Sequence, residues 1–202
     1  MGVAFTLTWL FGTNNEQIKN ENKPSENKTE KTEQPAQAME TKAENADIAD
    51  DGIITAPLSG KAVKLENVPD QTFAQGILGL GAAIEPTEGK VVAPGDGKVE
   101  TLFDTFHAVG LTLDNGKELL IHVGINTVEL KGEGFKAYVS EGDRVTKGQT
   151  LITFDMDFIK SKGYQTITPV LVGNSDEFAS VEELAEEGTE VTIGDKLIKV
   201  NA

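Results

Sequence analysis

Cysteine is absent from this 202-residue chain, and histidine occurs only twice, at His107 and His122. Without a thiol the protein forms no disulfide and holds no thiolate-ligated metal, a composition compatible with a reducing cytosol. Any thiol chemistry must belong to a partner. Basic residues are also scarce: 18 Lys and Arg stand against 33 Asp and Glu, for a formal net charge of −15. Such a chain repels phosphate backbones and anionic lipid surfaces, which argues against nucleic acid as a partner. High solubility is the plain consequence. The apolar start, Met1–Gly12, is shorter than the ~20 residues that span a bilayer. No Lys or Arg precedes it and no small-residue site closes it, so it does not fit a signal peptide either. No Gly-x-Ser-x-Gly, His-x-His or His-Glu-x-x-His pattern is present, which leaves serine hydrolases and zincins without a motif.

What is there falls into three stretches. Residues 1–12 are apolar. Residues 13–50 are a mixture of Glu, Lys, Asn, Gln and Thr with almost no large apolar side chains, and such a segment cannot offset its ordering entropy, so it reads as a disordered linker. From 51 to 202 the chain consists of short β-branched runs punctuated by Gly, Pro and Asp, the pattern of one all-β domain. Helical candidates are few: Asp155–Lys162, and Asp176–Glu187, where Ser175 or Asp176 can cap a short turn.

Two internal echoes run through the β domain. Ile53–Leu65 and Lys90–Leu102 share apolar-x-Ala-Pro-x-x-Gly-Lys-apolar-x-x-Leu, each reading as strand, turn and strand. Glu141–Ile152 and Glu187–Ile198 share Glu-Gly-x-x-Val-Thr-x-Gly-x-x-Leu-Ile. Interleaved in this order, with no third copy, the echoes predict a compact sandwich or barrel with approximate internal duplication, not a solenoid.

The two histidines lie on the arms of one predicted hairpin, whose turn is marked by Asn115-Gly116, residues that tolerate the positive φ a tight turn needs. A loop of two or four residues centred there pairs His122 with Val109. His107 then shares the face of His122, diagonally offset by roughly 7–8 Å. An odd loop puts them on opposite faces unless a bulge restores the phase.

Two convergent imidazoles support several chemistries. Neutral imidazole is a good nucleophile near pH 7, because its ordinary pKa is ~6.5. One ring can accept a transferred group while the other hydrogen-bonds the developing charge and apolar neighbours exclude water. Leu119, Leu120, Ile121 and Val123 make the surroundings of His122 apolar, and Gly124 lets a partner's backbone approach. A lone strand histidine is most often a packing residue, and that reading stays open for each. A zinc site is the sharper rival; it needs a third ligand, for which Asp70, Asp104 and Glu129 are candidates.

Residues 119–135, Leu-Leu-Ile-His-Val-Gly-Ile-Asn-Thr-Val-Glu-Leu-Lys-Gly-Glu-Gly-Phe, preceded by Thr105-Phe-His-Ala-Val-Gly110, resemble the glucose-type enzyme IIA domain of the bacterial sugar phosphotransferase system. The likeness covers roughly Gly52 to Val200. It extends to Ala56-Pro-Leu-Ser-Gly60, Val68-Pro-Asp70 and Ser140-Glu-Gly-Asp-Arg-Val145. The resemblance implies an antiparallel β-sandwich or barrel of the duplicated hybrid motif type, with short helical turns. It implies a phosphotransferase without cofactor or metal, in which His122 takes a phosphoryl group from HPr and passes it to a cysteine of an enzyme IIB domain. His107 would assist, held by Thr105. Phe73, Ile77, Phe103, Leu120 and Val128 match the family's apolar docking patch, with Gly124 beside it. Asp70 matches one flanking acidic residue, whereas Asn126 stands where a second is usual. Such a domain is cytoplasmic, or tethered to the inner face of the membrane when fused to a permease, and it binds no sugar itself. Met1–Gly12 then reads as the end of a permease's last membrane helix. A regulatory binding module whose partners depend on phosphorylation of His122 is the alternative function, and a zinc-dependent hydrolase a further one.

Overall fold

The computed structural model describes residues 51–202; the apolar terminus and polar linker expected at 1–50 lie outside the described residues. Fourteen short strands carry the fold of the described residues. The first of the echoed segments forms β1 (Ile53–Thr55) and β2 (Gly60–Lys64), followed by β3 (Leu80–Pro86). Its partner segment forms β4 (Lys90–Val92) and β5 (Gly97–Leu102), followed by β6 (Ala108–Leu113) and β7 (Glu118–His122). Next come β8 (Phe135–Ala137), β9 (Arg144–Val145), β10 (Thr150–Phe154) and β11 (Thr168–Val172). The chain closes with β12 (Ser180–Glu183), β13 (Glu190–Val191) and β14 (Lys196–Asn201).

All named strand pairs are antiparallel. An eight-stranded sheet in the order β13-β2-β3-β11-β7-β6-β5-β9 is accompanied by two three-stranded sheets, β1-β14-β12 and β4-β10-β8. The duplication read from the sequence is written into this pairing. The first echo's early copy pairs with the second echo's late copy (β1 with β14, β2 with β13), and the remaining two copies pair with each other (β4 with β10, β5 with β9). Their turns make matching bonds: Ala56 N donates to Asp195 O at 2.7 Å, and Ala93 N to Gln149 O at 2.9 Å. Read from its two ends, the large sheet has the same order of equivalent strands, meeting at β11 and β7.

The main core lies between the sheets and contains Ile54, Leu58, Ile84, Val91, Leu111, Ile121, Leu151 and Ile198, all fully enclosed. Alternation explains the flanking strands. In β7, Leu119 and Ile121 point into this core while Leu120 and His122 take the other face. Central β11 is buried along its whole length, because its second face is also covered. A second apolar cluster of Leu65, Val68, Phe73, Ala83, Ile125, Ile167 and Leu171 lies there, with Leu120 packed against it. Part of this cover is the short helix α1 (Gln71–Ala74), which the sequence reading did not anticipate. Asp70 caps it, accepting a bond from Thr72 N at 2.8 Å, as N-cap carboxylates do.

One helical expectation is met and one corrected. Asp155–Lys162 contains α2 (Met156–Ser161), capped by Asp155 Oδ1 on Phe158 N at 2.9 Å. Asp176–Glu187 is not a helix. After a single tight turn at Ser175–Glu177 the chain extends into β12, where Val181 pairs with Val200 of β14. An available strand edge prevails over weak helical periodicity.

Candidate functional site

His122 ends β7 and His107 immediately precedes β6, so both stand at one end of the same strand pair. The rings meet edge-on, with centroids 4.8 Å apart. The register that brings them together is not the one expected. The hairpin loop has three residues, Asp114-Asn115-Gly116, closed by Leu113 N to Lys117 O and by Gly116 N to Leu113 O, both at 2.9 Å. Gly116 supplies the left-handed residue (φ 82), the usual ending of a three-residue hairpin. His122 therefore pairs with Ala108, not Val109. On alternation alone that odd loop separates the imidazoles. They meet because His107 lies outside the regular strand, just after a left-handed Phe106 (φ 54).

Each imidazole is held at Nδ1. His122 Nδ1 lies 2.8 Å from the carbonyl oxygen of Gly124. A carbonyl only accepts, so Nδ1 bears the proton and Nε2 keeps its lone pair. His107 Nδ1 lies 2.5 Å from Thr105 Oγ1, a contact that serves either tautomer. If the hydroxyl donates, the His107 proton sits on Nε2 and becomes available as a donor.

Electrostatics keep both rings neutral. Burial pushes His107 down to about 4, with further lowering from the neighbouring His122. His122 is also lowered by burial, partly opposed by the Gly124 carbonyl and the charge of Asp70. Aromatic rings flank the pair: Phe73 lies 5.0 Å from His122 and Phe103 5.4 Å from His107.

The other residues singled out in the sequence distribute unevenly. Ile77, Phe103 and Val128 are exposed, at 66%, 42% and 46%, beside the equally open Leu78 and Leu80. Phe73 is buried and Leu120 half-buried. Asn126 adopts a left-handed conformation (φ 58) and leads into the turn Thr127–Leu130. Gly124 is required by its own backbone and neighbours. It sits at φ 75, and a Cβ there would lie 2.5 Å from Thr127 Cγ2 and 2.6 Å from Gln165 O. Thr127, which the sequence reading passed over, is fully buried and donates to Val123 O at 2.5 Å. The signal available for it was its place three residues after an unusual His-x-Gly.

Among the described residues the zinc alternative finds no third ligand. Among the described residues no three His, Cys, Asp or Glu side chains gather closely enough to hold a metal ion, so Asp70, Asp104 and Glu129 do not complete a site with the histidines. Also among the described residues, no helix is long and apolar enough to cross a membrane.

Fold and site together define a duplicated antiparallel β-sandwich with a pair of neutral imidazoles at one end of its large sheet. Residues 52–178 match the family described as phosphoenolpyruvate-dependent sugar phosphotransferase system, EIIA 1. The chain is 47% identical over 152 residues to the PTS system glucose-specific EIIA component of Halalkalibacterium halodurans, covering 75% of this chain and 88% of that protein. It is 50% identical over 129 residues to the component of the same description from Bacillus cereus, covering 64% and 78%. The solved structure of glucose permease IIA from Mycoplasma capricolum superposes with a TM-score of 0.66 at 34% identity, covering 72% of this chain and 93% of that one. The chain belongs to the EIIA 1 family and is a phosphoryl carrier of the sugar phosphotransferase system.

Proposed function

We propose that His122 is the covalent carrier, accepting the phosphoryl group on Nε2 from the phosphohistidine of HPr and passing it to a cysteine of an enzyme IIB domain. The observation that carries this reading is the bond from His122 Nδ1 to the Gly124 carbonyl, which leaves Nε2 unprotonated beside a second imidazole. In the first step the Nε2 lone pair forms a bond to phosphorus as the donor's P–N bond breaks and its imidazole departs. The His122 proton stays on Nδ1 throughout, hydrogen-bonded to the Gly124 carbonyl. In the second step a partner thiolate forms the P–S bond and the His122 N–P electron pair returns to Nε2. Neither step needs a nucleotide or a metal; positioning and charge stabilisation supply the catalysis.

His107 assists by donating a hydrogen bond from Nε2–H to a phosphoryl oxygen, with the Thr105 hydroxyl holding Nδ1 and so fixing that tautomer. Its low pKa favours a neutral donor, which does not trap the doubly charged group in a permanent ion pair. The rings of Phe73 and Phe103 shield the N–P bond from water. Exposed Ile77, Val128 and Phe103 form the apolar centre of a transient docking face for both partners. The relatives are named for glucose, and we extend that sugar to the pathway this carrier serves.

Incubation with phosphoenolpyruvate, enzyme I and HPr should add one phosphoryl group, located on His122 by mass spectrometry under conditions that preserve phosphoramidates. His122→Ala should remove it. Label on His107, or label surviving in His122→Ala, overturns the assignment.

A further inference from the structure

Phe106 is a bulky residue in a left-handed conformation, a combination that is uncommon outside Gly, Asn and Asp. It lies between the two residues whose side chains touch, Thr105 and His107. The strand pairing shows what it must accomplish. Val123 N donates to His107 O at 2.7 Å, so His107 sits opposite Val123, whose side chain is fully buried in the main core. Continued as a regular strand, β6 would send the His107 ring to that core face, away from His122. Instead the chain enters β6 through a tight turn in which Phe106 N donates to Phe103 O at 2.7 Å and Phe103 N to Ala108 O at 3.2 Å. The left-handed residue closes that turn, as a glycine commonly does in a hairpin bulge.

We propose that Phe106 is a positioning residue for phosphoryl transfer: its left-handed backbone turns His107 out of strand phase, onto Thr105 and toward His122. The odd loop at Gly116 and the irregular turn at Phe106 are thus two phase shifts that cancel. The first moves the register by one residue, and the second brings the ring back. In this account the phenyl group is incidental and the backbone conformation is what matters. The proposal rests on the reading of His107 as the assisting imidazole.

The test compares substitutions by their tolerance of positive φ. Phe106→Gly and Phe106→Asn accept it, whereas Phe106→Val resists it because β-branching crowds the left-handed region. NMR titration should find His107 still near its low value of about 4 in the first two variants. Their onward transfer to the IIB cysteine should stay within about threefold of the unaltered protein. In Phe106→Val the His107 titration should move toward 6.5, and onward transfer should fall roughly tenfold or more while acceptance from HPr changes little. The proposal is overturned if Phe106→Val keeps both the low titration and the transfer rate, or if Gly and Asn fail as badly as Val. Should Phe106→Val not fold, Phe106→Ala replaces it with the same signs at smaller amplitude. The titration needs no phosphate. Absence of label on His122 in the unaltered protein would therefore defeat the functional reading while still deciding whether Phe106 positions His107.

Discussion

Acidification should cost this fold stability through His107, and Gln substitution should remove that cost. His107 as a residue is only 4% exposed, and its ring takes a proton at about 4, against 6.5 for the unperturbed imidazole. Between those values the unfolded chain binds a proton that the folded one refuses, so stability rises with pH across the window and falls as pH is lowered through it. The contribution is neutral above 6.5. Each pH step below it costs about 1.4 kcal/mol, which gives about 2 kcal/mol by pH 5 and about 3 kcal/mol once pH reaches 4. His122, lowered in the same direction, adds a loss of the same sign in both proteins. Urea unfolding of the unaltered protein and of His107→Gln at pH 7.5, 6 and 5 isolates the difference. The drop from pH 7.5 to 5 should be smaller in His107→Gln by about 2 kcal/mol. Equal pH dependence in the two proteins refutes the reasoning, as does an NMR titration of His107 close to 6.5, because either shows that burial does not exclude the charge.

Gly124→Ala places a Cβ against Thr127 and the Gln165 carbonyl at φ 75; it should destabilise by about 2–4 kcal/mol in denaturant melts and slow labelling of His122. A loss below about 1 kcal/mol would mean that the loop relaxes freely. Thr127→Val keeps the shape but deletes the bond to the Val123 carbonyl, for an expected loss of about 1–2 kcal/mol by the same measurement; no change would show that the hydroxyl is dispensable. Thr105→Val releases His107 Nδ1, and stopped-flow or quench kinetics should find onward transfer reduced roughly ten- to hundredfold with acceptance little affected. A uniform loss in both steps would place Thr105 in docking instead. Leu151→Ala, at a fully buried core position, should cost about 2–5 kcal/mol in thermal or denaturant unfolding without altering the titration of either histidine.

The duplicated architecture was legible because it rests on local chemistry. Ala-Pro-x-x-Gly-Lys and Glu-Gly-x-x-Val-Thr-x-Gly specify turns, and turns set the order of short strands. The meeting of His107 and His122 was legible in outcome but not in cause. Asn115-Gly116 fits both a two-residue and a three-residue loop, and the choice is made by Leu113 and Lys117 closing around it. The compensating turn at Phe106 carries no sequence signal, since propensity points away from a left-handed phenylalanine. Helix α1 went unread for a different reason. Four residues are too few for periodicity, and only the Asp70 cap announces it. Asp176–Glu187 misled because its weak amphipathicity fits a helix, while its fate was decided by the edge of β14 far along the chain.

The cover over the large sheet divides its two equivalent halves. Around β3 and β11 the outer face is closed by Leu65, Val68 and Phe73 from the chain itself. Around β5, β6 and β7 it is an open groove of about 590 Å³ lined by residues such as Leu78, Gly110, Thr112, Leu120 and Gly173. His122 stands on the border between them, touching the permanent roof through Phe73. A molecule that duplicates its frame but roofs only one half keeps a built-in sample of how the other half looks when covered. The closed half thus shows, within the same chain, what closing such a face takes: apolar side chains laid across the outer side of paired strands.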